Sequence, residues 1–140
     1  MKKMAFMTFL SAIMLSGCVT QPPTTDEVQL VSPERLYDQS LYKPQGERNI
    51  PVRITRDSGF QGSLATLFLK IDGKYVVWLN SSEEITIYLS EGGYVFELIA
   101  SMCPNKTSCI YASDATIKKG FENNFRIQAK DGFKLIRSRT

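Results

Sequence analysis

The spacing of apolar residues along the 140-residue chain changes three times, and each change marks an expected element. After Lys2 and Lys3 the stretch from Ala5 to Leu15 is mostly apolar. As a helix rising 1.5 Å per residue it spans roughly 17 Å, about half of a hydrocarbon core. That is too short to cross a bilayer and suits the apolar centre of a secretory signal peptide. Residues 19 to 31 are largely polar, contain Pro22-Pro23 and predict a flexible tether. Extended at about 3.3 Å per residue, it would reach roughly 45 Å. Ser32-Pro33-Glu34 then predicts a helix start, with Ser32 as cap, Pro33 in the first helical position and Glu34 at the positive end of the dipole. Leu36, Tyr37 and Leu41 give it a short apolar stripe, and Pro44 and Gly46 end it after two to three turns.

From residue 50 the period becomes two. Ile50, Val52 and Ile54 alternate with polar or proline positions, as do Leu67, Leu69 and Ile71. Asp72-Gly73 predicts a two-residue hairpin into the strand 74–79, because both turn positions favour positive φ. Ile85, Ile87 and Leu89 form the next strand, Glu91-Gly92-Gly93 a turn, and Tyr94 to Ile99 another strand. Strands at 110–118, 125–130 and 133–137 follow, the last two joined at Asp131-Gly132. About eight short strands at this spacing predict an all-β fold, a sandwich or a small barrel of mostly antiparallel neighbours, and a single antiparallel β-sandwich is the expected form. The expected organisation is a signal peptide over 1–17, a tether over 18–31, and a β-domain with a short N-terminal helix over 32–140.

The apolar run ends in Leu15-Ser16-Gly17-Cys18. In position, order and flanks this resembles the lipobox of bacterial lipoprotein precursors. The resemblance implies diacylglyceryl transfer to the Cys18 thiol, cleavage between Gly17 and Cys18 by signal peptidase II, and acylation of the new amino group. The alternative is an ordinary cysteine after a conventional signal peptide. Two or more acyl chains anchor a protein stably, at about 0.8 kcal/mol per buried methylene. In lipoproteins of the enterobacterial type an aspartate after the lipidated cysteine retains the protein in the inner membrane. Val19 stands there, which implies the outer membrane.

With Cys18 lipidated, Cys103 and Cys109 are left as an even pair. In an oxidising compartment they predict a disulfide. Closing so short a loop contributes about 2.4 kcal/mol in the chain-entropy model. Residues 69 to 96 are similar to the PEGA-type small β-sandwich: strand, Asp72-Gly73 turn, two strands, Gly92-Gly93 turn, strand. That resemblance implies an extracytoplasmic interaction or spacer module and brings no catalytic residues. Glu91-Gly92 stands where that pattern usually has proline-glycine.

Composition narrows the chemistry. The chain has no histidine, so no Ser-His or Cys-His pair can form, and the commonest metal ligand is missing. Gly59-Phe60-Gln61-Gly62-Ser63 is followed by Leu64-Ala65, where a phosphate-binding loop needs lysine and a hydroxyl residue. Glu83 and Glu84 are adjacent; on a strand they would point to opposite faces, and a solvated turn is the expected role. A non-enzymatic protein with no cofactor is expected. Formal net charge is +3, falling to +1 without Lys2 and Lys3, which leaves no case for nucleic acid as a partner.

Two surfaces remain as candidates. Trp78, Tyr88 and Phe68 lie out of phase with the core positions of their strands, and Phe60 sits at a loop tip. The second surface is basic: residues 118 to 140 hold seven basic residues against two acidic, with Arg126, Lys130, Lys134 and Arg137 among them. The expected function is a lipid-anchored envelope accessory that binds another protein through a sheet face. Alternatives are a binder of envelope glycan or anionic lipid (lipopolysaccharide or peptidoglycan), and a small periplasmic hydrolase inhibitor.

Overall fold

The computed structural model describes residues 20–59, 61–103 and 109–138. The segment Leu15 to Cys18 expected to be a lipobox, with Gly17 and Cys18, lies outside the described residues, as do Phe60 and Arg139. Among the described residues nine strands form: β1 (Gln29–Leu30), β2 (Ile50–Arg56), β3 (Leu67–Ile71), β4 (Lys74–Leu79), β5 (Glu83–Leu89), β6 (Gly92–Ala100), β7 (Ile110–Ile117), β8 (Asn123–Ala129) and β9 (Phe133–Arg137). A five-stranded sheet runs β1-β5-β2-β8-β9 and a four-stranded sheet runs β4-β3-β6-β7. Pairing is mostly antiparallel. The exceptions are β2 with β8 and β1 with β5, which are parallel because the chain leaves the five-stranded sheet and re-enters it in the same direction.

Alternation places one face of most of the long strands inside. Ile50, Val52 and Ile54 of β2, Leu67 and Leu69 of β3, Ile85 and Ile87 of β5, Phe96 and Leu98 of β6, and Phe125 and Ile127 of β8 are all buried. Residues from both sheets belong to one contiguous core. Phe96 of the four-stranded sheet stacks on Phe125 of the five-stranded sheet, ring centroids 5.6 Å apart. Each such side chain contributes about 1.5–3 kcal/mol relative to exposure. Asp72 and Gly73 take φ of 48° and 76°, as the two-residue hairpin between β3 and β4 requires.

Four expectations are corrected. First, no α-helix forms over 32–43. Two 3-10 turns, Pro33–Arg35 and Gln39–Tyr42, occupy the segment, and Leu36 between them is extended at ψ 131°. Ser32 makes no side-chain cap, and the stripe was too short to offset helix nucleation. Leu36 instead plugs into the core, 4% exposed, and Tyr37 N–H donates to Val76 O at 2.9 Å. Second, from Thr20 onward the stretch expected as a tether is packed on the domain. Thr20 and Val31 are each 4% exposed, Gln21 pairs with Ser58, and β1 adds to the edge of β5. Third, Gly92-Gly93 is no hairpin turn but the start of β6, so Ser90-Glu91 carries the chain from one sheet to the other. Fourth, Glu83 is buried at the start of β5 rather than solvated. Its carboxylate meets Arg35 Nη2 at 2.6 Å and accepts from Asn80 N–H at 2.6 Å.

Candidate functional site

The outward face of the four-stranded sheet carries the strongest concentration of unsatisfied apolar surface. Register sets Phe68 opposite Trp78 on one side and Ile99 on the other, and Ile99 opposite Ile110. Directly opposite residues share a face, so Trp78, Phe68, Ile99 and Ile110 form one apolar row across all four strands. A β-bulge adjoins it: Leu69 pairs with Val77 but Lys70 pairs with Tyr75, leaving Val76 as the extra residue. The bulge puts Tyr75 on the same outward face as Trp78. Tyr37 lies 5.5 Å from the Tyr75 ring, and Phe68 meets Tyr75 edge-on at 6.2 Å.

Cations hem this cluster. Arg35 lies 4.0 Å over the Trp78 ring while holding Glu83, and Lys70 lies 4.8 Å from the Tyr75 centroid. Trp78 and Phe68 are half-buried. Tyr37 is 59% exposed, Tyr75 46%, Ile110 44% and Val95 41%. Large apolar groups on the strands and on the adjoining turn segment are thus left partly in water.

The expected surface residues do not gather in one place. Phe68 and Trp78 belong to this face, whereas Tyr88 lies on the outward face of the five-stranded sheet, beside Pro51. Arg126 is on that second face too, but it is engaged: Nε and Nη2 bind both carboxylate oxygens of Asp57 at 2.9 and 2.7 Å, and the Asp57 side chain is 1% exposed. Arg137 donates to Glu122 O and Thr116 O and covers the Phe125 ring at 4.7 Å, tying the free edges β7 and β9 together. Lys130 and Lys134 remain exposed. The basic C-terminal surface is therefore partly structural.

Arg56 is the buried cation that sequence inspection passed over. It continues the inward phase of Ile50, Val52 and Ile54, and donates to Gly62 O, Ala65 O and Leu79 O at 2.6–2.7 Å. Burial pushes its pKa down to about 10, with nearby Glu83 acting in the opposite direction, so it stays charged at neutral pH. Three backbone acceptors consume it, and it serves the loop 57–66 rather than a ligand. Tyr37, Tyr75, Ile99 and Ile110 were also missed. The placement of Tyr75, Ile99 and Ile110 depends on strand register and on the bulge, and that of Tyr37 on the turn segment docking at Val76, none of which alternation alone reveals.

Cys103 and Cys109 are brought together, Cα atoms 6.2 Å apart, a separation a disulfide spans. Among the described residues no cluster of three or more acidic or cysteine side chains could hold a metal ion, and no helix is long and apolar enough to cross a membrane. The chain matches no protein-family model, no curated protein and no solved structure.

Proposed function

We propose that the chain is a non-enzymatic bacterial lipoprotein, anchored in the outer membrane through acylated Cys18, whose two sheets form a β-sandwich with a closing Cys103–Cys109 disulfide. It acts as an envelope accessory that docks a protein on the outward face of its four-stranded sheet. One observation carries this reading: the in-register row Trp78, Phe68, Ile99 and Ile110, continued by Tyr75 and Tyr37, leaves aromatic surface half in water on a rigid support. Aromatic residues on a preformed surface are the anchors that protein interfaces favour, because they bury much area at little conformational cost.

The alternative ligands, envelope glycan or anionic lipid, relied on Trp78, Tyr88 and the C-terminal cations acting together. Trp78 and Tyr88 sit on different sheets, and Arg126 and Arg137 already have partners, which favours the protein reading. The test compares paired variants of the membrane-extracted protein. Tyr75→Glu with Ile110→Glu should abolish a stoichiometric, salt-resistant complex, while Tyr88→Glu with Thr86→Glu should leave it intact. Equal loss from both pairs, or binding that collapses between low and high salt and transfers to anionic vesicles, would overturn the assignment.

A further inference from the structure

Thr20 lies two residues after Cys18 and is fixed to one end of the domain. Its hydroxyl accepts from Ala129 N–H at 3.1 Å, and Gln21 exchanges backbone hydrogen bonds with Ser58 at 3.1 and 2.9 Å. A Cβ on Gly59 would lie 3.3 Å from Thr20 Cα, so the chain enters close against the 57–66 loop. Strand direction places further segments at this same end. β2 and the parallel β8 finish here and β5 begins here, which gathers 57–59, 61–66, 80–82 and 130–132. The start of β3 and the end of β6 join them through Arg56, which bonds Ala65 O and Leu79 O. Gly62 packs on both Phe133 and Ala129. A Cβ there would come within 2.8 Å of the Phe133 ring and 3.3 Å of Ala129 Cβ.

Two large apolar side chains stand in water at this end. Leu64 is 83% exposed and Met102 is 66% exposed, and both line one shallow depression with Phe133 and Tyr111. Leu64 is the most exposed large apolar side chain among the described residues. Exposed Lys130 and Lys134 flank the end, with Asp131 in the same turn, so its net charge is small, and Leu64 and Met102 stand out from otherwise polar loops.

The reach of the chain decides what these side chains meet. From Cys18 to Thr20 the backbone can extend at most about 7 Å. The headgroup layer of one leaflet is roughly 5–7 Å deep. An acylated Cys18 is held at the boundary between acyl chains and headgroups, so Thr20 cannot rise far above the membrane surface. We propose that this end of the domain lies directly on the bilayer that carries the anchor, with Leu64 and Met102 inserted among the phospholipid headgroups. This rests on the lipidation proposed above. It directs the opposite end, with Asp72-Gly73 and Lys119, away from the membrane and keeps Tyr37 and Tyr75 accessible at the side.

The test uses the full-length lipidated protein with its Cys103–Cys109 pair oxidised, in phosphatidylethanolamine–phosphatidylglycerol vesicles that contain a headgroup-nitroxide lipid. An environment-sensitive fluorophore is attached at Leu64→Cys, at Met102→Cys or, as control, at Lys119→Cys. Contact predicts at least about two-fold quenching at positions 64 and 102, little at 119, and scant change at high salt, as apolar insertion requires. A ten-residue glycine-serine insertion between Val19 and Thr20 should lower quenching at 64 and 102. The mass of Cys18 is measured in the same samples. Acylated Cys18 with equally weak quenching at all three sites would overturn the orientation and leave the lipoprotein assignment standing. Unmodified Cys18 would remove the lipoprotein assignment and the orientation together.

Discussion

Across the four-stranded sheet the outward row Trp78, Phe68, Ile99 and Ile110 is apolar from edge to edge; the corresponding outward row of the five-stranded sheet is Leu30, Glu84, Thr55, Arg126 and Ile136, apolar only at its two edges. Both are built by the same period-two alternation, and both back onto the same core. In the second row the polar groups satisfy one another. Thr55 Oγ1 donates to Glu84 at 2.6 Å, and Arg126 turns to buried Asp57. Residues 20–31 lie against the same sheet. In the first row Arg35 and Lys70 shield only the Trp78 and Tyr75 rings, and Tyr37 and Tyr75 remain in water. One outer face is largely occupied by its own polar contacts and by residues 20–31, with Leu30 left exposed at its edge, and the other presents an unbroken apolar row.

The largest effect expected from this difference concerns the polar face. Arg126→Met leaves Asp57 as an uncompensated buried charge and should cost about 3–5 kcal/mol in urea unfolding, while Arg53→Ala nearby should change stability by less than about 0.5 kcal/mol. If Arg126→Met proved neutral, Arg126 would return to the pool of cations free to bind a ligand. An intermediate effect belongs to the apolar face. Trp78→Ala removes a half-buried ring and the Arg35 stack, and should cost about 1–2 kcal/mol by the same measurement. A smaller effect separates function from stability. Tyr75→Ser loses the contacts with Tyr37 and Phe68 and should cost about 1 kcal/mol yet weaken partner binding at least about ten-fold, as a truncated interface anchor does.

The smallest effect lies in the segment that borders the aromatic cluster. The Ser40 hydroxyl and N–H bonded to Asp38 hold its carboxyl below the usual range. Because the folded-state pKa is the lower one, this contribution is present above the unfolded carboxylate pKa and fades as pH falls through the folded value. Acid titration monitored by Tyr37 fluorescence should therefore show a small change that Asp38→Ala abolishes.

Much of the β-structure was readable from residue order. The strand positions from 50 onward and the Asp72-Gly73 turn follow from alternation and from two positive-φ residues in succession. Arg56 was readable in principle, since it occupies an inward position of the Ile50, Val52, Ile54 series and so had to be buried with acceptors. What local pattern could not supply was pairing between distant segments. The parallel joining of β2 to β8 depends on contacts about seventy residues apart, and so does the Asp57–Arg126 pair. The row from Trp78 to Ile110 required the register of four strands and the bulge at Val76. The polar stretch after residue 19 looked free because its anchoring lies in Thr20, Gln21 and β1, whose partners are far along the chain.

The difference between the two faces is tested most directly by photo-crosslinking in the intact envelope. A photoreactive amino acid placed at Tyr75 or at Tyr88 of the full-length protein samples one face each. A discrete protein adduct at Tyr75, insensitive to salt and missing at Tyr88, is the predicted result. Adducts at Tyr88 with none at Tyr75, or the same adducts at both, would contradict it.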